Sequence, residues 1–336
     1  MNEYLEYSLG DLVLQSGKVV PDARLAYQTY GQLNADKSNV VLIPTFYTGT
    51  HFRNEGYFGE GRAIDPAHHF IVSINLFGNG LSTSPSNTLP PADRGNFPLV
   101  TFHDNVRCQQ QLLEDVFGIE QLLLVTGWSM AGCQTFQWAS QFPDWVKNAL
   151  PFCGSAKTSP HNIVFLEGVK AALQADAGWQ NGFYDSPPEE GLKAFGRVYA
   201  GWAFSQTFYR DKLHQKIGFE TFEDLLQDWE QDHLNWDANN LLAKLATWQA
   251  GDISQNETYQ GDLTAALNAI TANTIVIVCD NDLYFQPADN ELEIPHIKNG
   301  ELRVLESPWG HCVASPGNPH TGFEQYFDNT VRELLG

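Results

Sequence analysis

The sequence predicts an α/β fold: a mostly parallel sheet flanked by helices and interrupted by a long helical insertion. Short apolar runs bounded by turn residues recur at VVLIP (40–44), FIVSIN (70–75), LLLVT (122–126), ALPFC (149–153) and TIVIVC (274–279), with a sixth at 301–305. Near-continuous apolar runs of this length fit strands covered on both faces, as in parallel sheets. Helix-like stretches separate several of these runs, as parallel crossovers require. Between about 160 and 267 the strand signal disappears, and the chain becomes polar and helical with irregularly spaced aromatic residues.

One predicted crossover helix lies within 105–117, where Val106, Leu112, Leu113 and Val116 fall on one side. Another follows LLLVT, in CQTFQWASQF. The closing runs TIVIVC and ELRVL have no sheet of their own to join, so the helical stretch reads as an insertion and not as a tandem domain. The expected organisation is a core of residues 1–156 and 268–336 with a helical lid at 157–267. No internal repeat or low-complexity tract is present.

With 336 residues and 43% hydrophobic composition, the chain can bury a large core without disulfides. Its five cysteines, at 108, 133, 153, 279 and 312, form no C-x-x-C pair and read as reduced thiols. The first residues, MNEYLEYSLGDL, lack the basic and apolar regions of a signal peptide, and no apolar run approaches a membrane span. A soluble, cytoplasmic protein with no membrane partner is the expectation. A net charge of −21 repels phosphate backbones, which argues against nucleic acid as a partner. The ten histidines form no H-x-x-x-H pair, so no metal is expected. NLFGNGLS offers only G-x-G after its strand, which argues against a nicotinamide cofactor.

The stretch VTGWSMAG (125–132) carries the chemistry. A nucleophilic serine on a tight strand-to-helix turn needs small flanking residues where the two elements meet. Gly127, Ala131 and Gly132 supply them around Ser129. In such sites the order is serine, acid, histidine. Asp280 and Asp282 follow TIVIVC, and His311 follows the 301–305 run, so each candidate partner sits just after a strand. His103 is a rival base but precedes the serine. The backbone N–H of Met130 is the expected first oxyanion donor, and a second is expected from the TFYTGTHF loop after VVLIP.

These motifs resemble the homoserine O-acetyltransferase family of the α/β-hydrolase superfamily over nearly the whole chain. Thr45-Phe46-Tyr47-Thr48-Gly49 is similar to the family's His-Ala-Leu-Thr-Gly loop, which implies the Tyr47 N–H as second oxyanion donor. Asn75 to Ser86, Thr101 to Gln109 and Gly127 to Gly132 match further segments, followed by Gln137-Trp138-Ala139 and Pro143-Asp144. Asp280 to Pro287 resembles Asp-Ser-Asp-Trp-Leu-Phe-x-Pro and favours Asp282 as the acid, while Gly310-His311 matches the family's base. The resemblance also implies a homodimer formed through the lid, with which the amphipathic segments 219–229 and 241–248 are compatible.

The acceptor ligands do not carry over. The family holds homoserine's carboxylate with a lid arginine, whose position reads Gly196 here, with Arg197 one place off. The family tyrosine falls at Ala203, and the ammonium-binding aspartate after the base is Cys312. A zwitterion needs both charges paired on burial, at a cost of several kcal/mol otherwise. Trp128 stands where the family has glycine and adds apolar bulk beside the nucleophile. Trp202, Phe204, Phe208 and Tyr209 are candidate pocket walls, with Trp128, Arg197, Trp202 and Cys312 as the candidate substrate contacts. A kept triad beside lost acceptor ligands reads as a serine esterase for small acetyl-type esters that requires no cofactor. The alternative is an acetyl-coenzyme A-dependent O-acetyltransferase acting on homoserine or another alcohol.

Overall fold

The computed structural model describes residues 4–336. All six predicted runs form strands: β3 (Val40–Leu42), β4 (Phe70–Ile74), β5 (Leu124–Trp128), β6 (Asn148–Phe152), β7 (Asn273–Cys279) and β8 (Gly300–Leu305). Ahead of them lies an antiparallel pair absent from the sequence reading, β1 (Leu5–Val13) and β2 (Val19–Tyr30). The sheet order is β1-β2-β4-β3-β5-β6-β7-β8, antiparallel as far as the β2–β4 pairing and parallel beyond it. β4, β5 and β6 are buried throughout, as continuous apolar runs require.

The helices are α1 (His51–Asn54), α2 (Phe102–Phe117), α3 (Met130–Gln141), α4 (Pro160–Gln174), α5 (Glu189–Ala203) and α6 (Gln206–Arg210). They continue with α7 (Phe222–Leu234), α8 (Ala238–Gln249), α9 (Leu263–Asn268), α10 (Pro287–Glu293) and α11 (Phe323–Leu335). α2 begins three residues before the predicted 105–117, because Thr101 and Asp104 form a reciprocal capping box that fixes its start.

Alternation along the strands sends neighbouring side chains into two cores. Val41 and Ile43 pack towards the lid helices with Phe165, Phe195, Leu241 and Trp248. Val40 and Leu42 pack on the opposite face with Val106, Leu112, Phe136 and Trp138. The lid is rooted where Thr158 N–H donates to Gly251 C=O at 2.8 Å. The segment from Ile253 through α9, placed with the lid in the 157–267 reading, packs Ile253, Ala266 and Leu267 into the second core. α9 has only 6 residues, too few to display helical periodicity in sequence. Among the described residues no helix is long and apolar enough to cross a membrane, and all five cysteines are free and buried.

Candidate active site

β5 runs straight into Ser129, which precedes α3 with φ 60° and ψ −124°. A serine in this region is strained by about 1–3 kcal/mol and persists only where its surroundings fix it. Ser129 N–H donates to Phe152 C=O at 3.0 Å, and Ser129 C=O accepts from Cys133 N–H at 3.0 Å. A Cβ at Gly127 would stand 2.4 Å from the Ala131 Cβ, so the turn closes only with glycine there. Met130 opens α3, and its N–H is among the helix-start donors that lack an intrahelical acceptor.

The candidate acid and base arrive from neighbouring parallel strands. Asp282 follows β7 and His311 follows β8, and His311 Nδ1 lies 2.7 Å from Asp282 Oδ2. Asp282 is fully buried, with Oδ1 accepting from Tyr284 N–H at 2.7 Å and Phe285 N–H at 3.1 Å. Those donors aim its other oxygen at the imidazole. Asp280 instead accepts from Ser307 N–H at 2.9 Å, tying the end of β7 to the turn after β8. His103 lies at the start of α2 and does not line the cavity that contains Ser129 and His311.

The imidazole is fixed by rings as well as by Asp282. Trp128 stacks on it with centroids 4.9 Å apart and planes 24° from parallel, and Tyr284 meets it at 4.6 Å and 62°. Among the described residues, one group of three possible metal ligands lies within 4.8 Å: Cys153, Asp282 and His311. Its Nδ1 is engaged by Asp282, and burial pushes the Cys153 thiol well above its ordinary value, so it stays protonated.

Ser129 and His311 open into a cavity of about 240 Å³. Phe46, Tyr47 and Trp128 line it from the core, with Tyr199 and Phe204 from the lid. Arg53, Asp228 and Asp232 add polar groups, and the Asp228 carboxyl is raised by partial burial and by the neighbouring Asp232 charge. Trp128 and Cys312 line the cavity as expected, and burial pushes the Cys312 thiol up to about 12, leaving it neutral.

Four residues expected at the pocket, Arg197, Trp202, Phe208 and Tyr209, do not line this cavity. The buried positions of α5 are 191, 192, 195, 196, 199, 200 and 203, and neither Arg197 nor Trp202 belongs to that stripe. Arg197 lies 37% exposed on the lid surface, paired with Glu223 and Glu230. Trp202 packs on Phe165 at 4.7 Å and His161 at 5.2 Å without lining the cavity. Phe208 stacks behind Phe204 at 3.9 Å, and the Tyr209 hydroxyl donates to Ala200 C=O at 2.7 Å. At Gly196 a Cβ would lie 2.6 Å from Trp229 C=O, so the close approach of α5 and α7 leaves no room for a side chain.

Sequence reasoning missed the scaffold behind the loop bearing Tyr47. Gln134 Nε2 donates to Thr45 C=O at 2.9 Å, Gln109 Nε2 donates to Gln134 Oε1 at 2.7 Å, and Trp138 Nε1 donates to Gln109 Oε1 at 2.8 Å. This buried chain ties the loop after β3 to α3 and α2. The polar residues of two helix-like segments were its only signal. Arg53, Asp228 and Asp232 were equally unmarked, since exposed-looking charged residues carry no periodic signature.

The chain matches the family described as alpha/beta hydrolase fold over residues 39–316. It is 39% identical to the ethyl acetate hydrolase of Pseudomonas veronii over 308 residues, covering 90% of this chain and 88% of that protein. A homoserine O-acetyltransferase of Nostoc punctiforme is 32% identical over 314 residues, covering 89% and 88%. The solved acetylester hydrolase from Corynebacterium glutamicum superposes with a TM-score of 0.95 at 38% identity, covering 99% of this chain and 96% of that one. By sequence along nearly its full length and by fold, the chain belongs to the α/β-hydrolase family, as an esterase-like member of its homoserine O-acetyltransferase group.

Proposed function

We propose that the protein is a serine carboxylesterase that hydrolyses small acetyl-type esters through an acyl-enzyme on Ser129. The observation that carries this reading is His311, held by the buried Asp282 and opening with Ser129 into one small cavity walled in part by aromatic rings. The ethyl acetate hydrolase and acetylester hydrolase relatives support the acyl size.

In the resting site His311 donates its Nδ1 proton to Asp282, leaving Nε2 as the base. Ser129 Oγ attacks the ester carbonyl as its proton passes to Nε2. The N–H groups of Met130 and Tyr47 receive the resulting oxyanion, and charge-assisted donors of this kind are worth about 10²–10³ in rate each. The tetrahedral centre expels the alkoxide, which takes the proton from Nε2 and departs as the alcohol. Water then gives its proton to Nε2 and attacks the acyl-enzyme, and collapse of the second tetrahedral centre returns that proton to Ser129 and releases the carboxylic acid.

Proton release from ethyl acetate, followed in weak buffer, tests the reading directly. The wild type is expected to turn over and Ser129→Ala to lose at least about 10³ of the rate. Equal rates in the two proteins would overturn it. Transfer from acetyl-coenzyme A is the second reading, supported by the homoserine O-acetyltransferase relative. Against homoserine as its acceptor stand Gly196, which has no room for an arginine, and the neutral thiol of Cys312.

Two further parts belong to this proposal. Five free, buried cysteines support a reducing, cytoplasmic location, which localisation of the tagged native protein would check. Pairing through the lid is supported by exposed apolar residues there, including Val164 and Phe222. A monomeric mass by light scattering at micromolar concentration would remove it.

A further inference from the structure

Lys244 of α8 is completely buried in the lid, and among the described residues its Nζ has no hydrogen-bond partner. Nζ stands 3.8 Å from the centre of the Trp236 ring and 5.2 Å from that of Tyr47. Tyr47 is also fastened to α8, since its hydroxyl donates to Leu241 C=O at 2.9 Å. Room for the lysine stem is left by Gly78, at φ +85°, where a Cβ would come within 3.1 Å of Lys244 Cγ.

We propose that Lys244 is a positioning residue for the ester hydrolysis: its ammonium, held against the Trp236 and Tyr47 rings, fixes the Tyr47 ring to α8 and so sets the Tyr47 N–H towards the oxyanion. The proposal rests on the reading of Tyr47 as an oxyanion donor. A cation is attracted to the negative faces of aromatic rings, whereas a neutral amine is not, so the hold belongs to the charged form. The ring of Tyr47 and its own backbone N–H belong to one residue, so restraining the first restrains the second.

The arrangement is costly to the fold. Burial pushes the Lys244 ammonium down to about 7, against the favourable but more distant charges of Asp232 and Asp237. The titratable and charged groups facing it are Asp232 and His233 from α7, Asp237 at the start of α8, and the Tyr47 phenol from the loop after β3. Asp237 is committed to Tyr184 and to the N–H of Asn240, and Asp232 lies 3.7 Å from His233. A methionine would fill the same channel without desolvating a charge.

The test is Lys244→Met on the full-length protein, with kcat and KM for ethyl acetate and the thermal midpoint measured from pH 6 to 9. The expected result is a kcat lowered about tenfold at pH 6, less than loss of a whole oxyanion donor, with KM within about twofold and a thermal midpoint at or above that of the wild type. The ratio of wild-type to variant kcat should then shrink towards unity as pH rises and the lysine loses its proton. Trp236→Leu, which removes one ring and keeps the charge, should lower kcat in the same direction and serves if the methionine variant does not fold. A kcat ratio independent of pH, or parallel losses of kcat and thermal midpoint, would overturn the proposal and leave Lys244 a packing residue. Activity that survives in Ser129→Ala would instead overturn the esterase mechanism itself, so the two failures are distinct.

Discussion

Trp128 lies stacked on the imidazole of His311, with ring centres 4.9 Å apart, and also meets Phe46 in an edge-to-face contact at 4.9 Å. The residue before Ser129 therefore shapes the cavity and braces the His311 ring. Trp128→Gly should cost about 3–5 kcal/mol of stability, as large aromatic deletions do. It should also raise the hexanoate-to-acetate ratio of kcat/KM by about tenfold or more, since a methylene in an apolar pocket changes discrimination by about 1–3 kcal/mol. Nitrophenyl esters of graded chain length check both the wild type and the variant, and an unchanged ratio would remove Trp128 from the acyl wall.

Asp282 accepts from two backbone N–H groups on one oxygen and from His311 on the other. In Asp282→Asn the amide oxygen stays with the N–H pair, so the amide nitrogen faces Nδ1 and forces the proton onto Nε2. That tautomer cannot take the serine proton. The expected loss is about 10⁴ in kcat with little change in fold, by analogy with the same substitution in other triads. Activity within tenfold of the wild type would mean that another group orients the base.

The close approach of Gly127 and Ala131 gives a paired prediction. Gly127→Ala should destabilise the protein by about 1–3 kcal/mol through overpacking at the elbow. Adding Ala131→Gly removes the nearest clashing atom and should restore part of that loss, with the backbone contacts at 3.0 and 3.1 Å retaining the remainder. Denaturant midpoints of the single and double variants measure the coupling, and purely additive effects would contradict the assigned contact.

How much of this was legible in the sequence follows from burial. β4, β5 and β6 are covered on both faces, and continuous apolar runs announced them. β1 is mostly exposed, so LEYSLGDLV gave no such run, and its pairing with β2 went unread. The placement of Ser129, Asp282 and His311 was legible because each follows a strand run. Arg197 and Trp202 were misplaced because the phase of α5 is set by packing on α4 and α7 and not by composition. The link from Lys244 to Tyr47 spans nearly 200 residues and exists only in the folded chain.

Arg197 gives a control for that correction. It forks between Glu223 and Glu230 at the lid surface, more than a third exposed, and solvent screens such pairs to below about 1 kcal/mol. Arg197→Gln should therefore leave KM for ethyl acetate unchanged and shift stability by less than that. A several-fold rise in KM would return Arg197 to the substrate site.

Glu293 supplies a pH-dependent stability that can be isolated. It is buried, with Oε1 accepting from Ala156 N–H at 2.9 Å and Lys157 N–H at 3.2 Å, and burial pushes its carboxyl up to about 8 from 4.5. The folded state thus binds a proton that the unfolded chain releases near 4.5. Stability from this group is full below that value and is lost as pH rises towards about 8. Glu293→Gln should flatten the fall in thermal midpoint between pH 5 and 8 relative to the wild type. An identical slope in both proteins would show that Glu293 is ionised in the fold at neutral pH.

The central claim is hydrolysis on a scaffold shared with acetyl transfer, and one paired assay tests it most directly. A single preparation is given ethyl acetate, and separately acetyl-coenzyme A with and without L-homoserine, with Ser129→Ala as the blank. Ester turnover that vanishes in the blank, together with no homoserine-dependent thiol release, is the predicted result. Homoserine-dependent thiol release faster than ester hydrolysis would contradict the account and show that Gly196, Ala203 and Cys312 do not bar a zwitterionic acceptor.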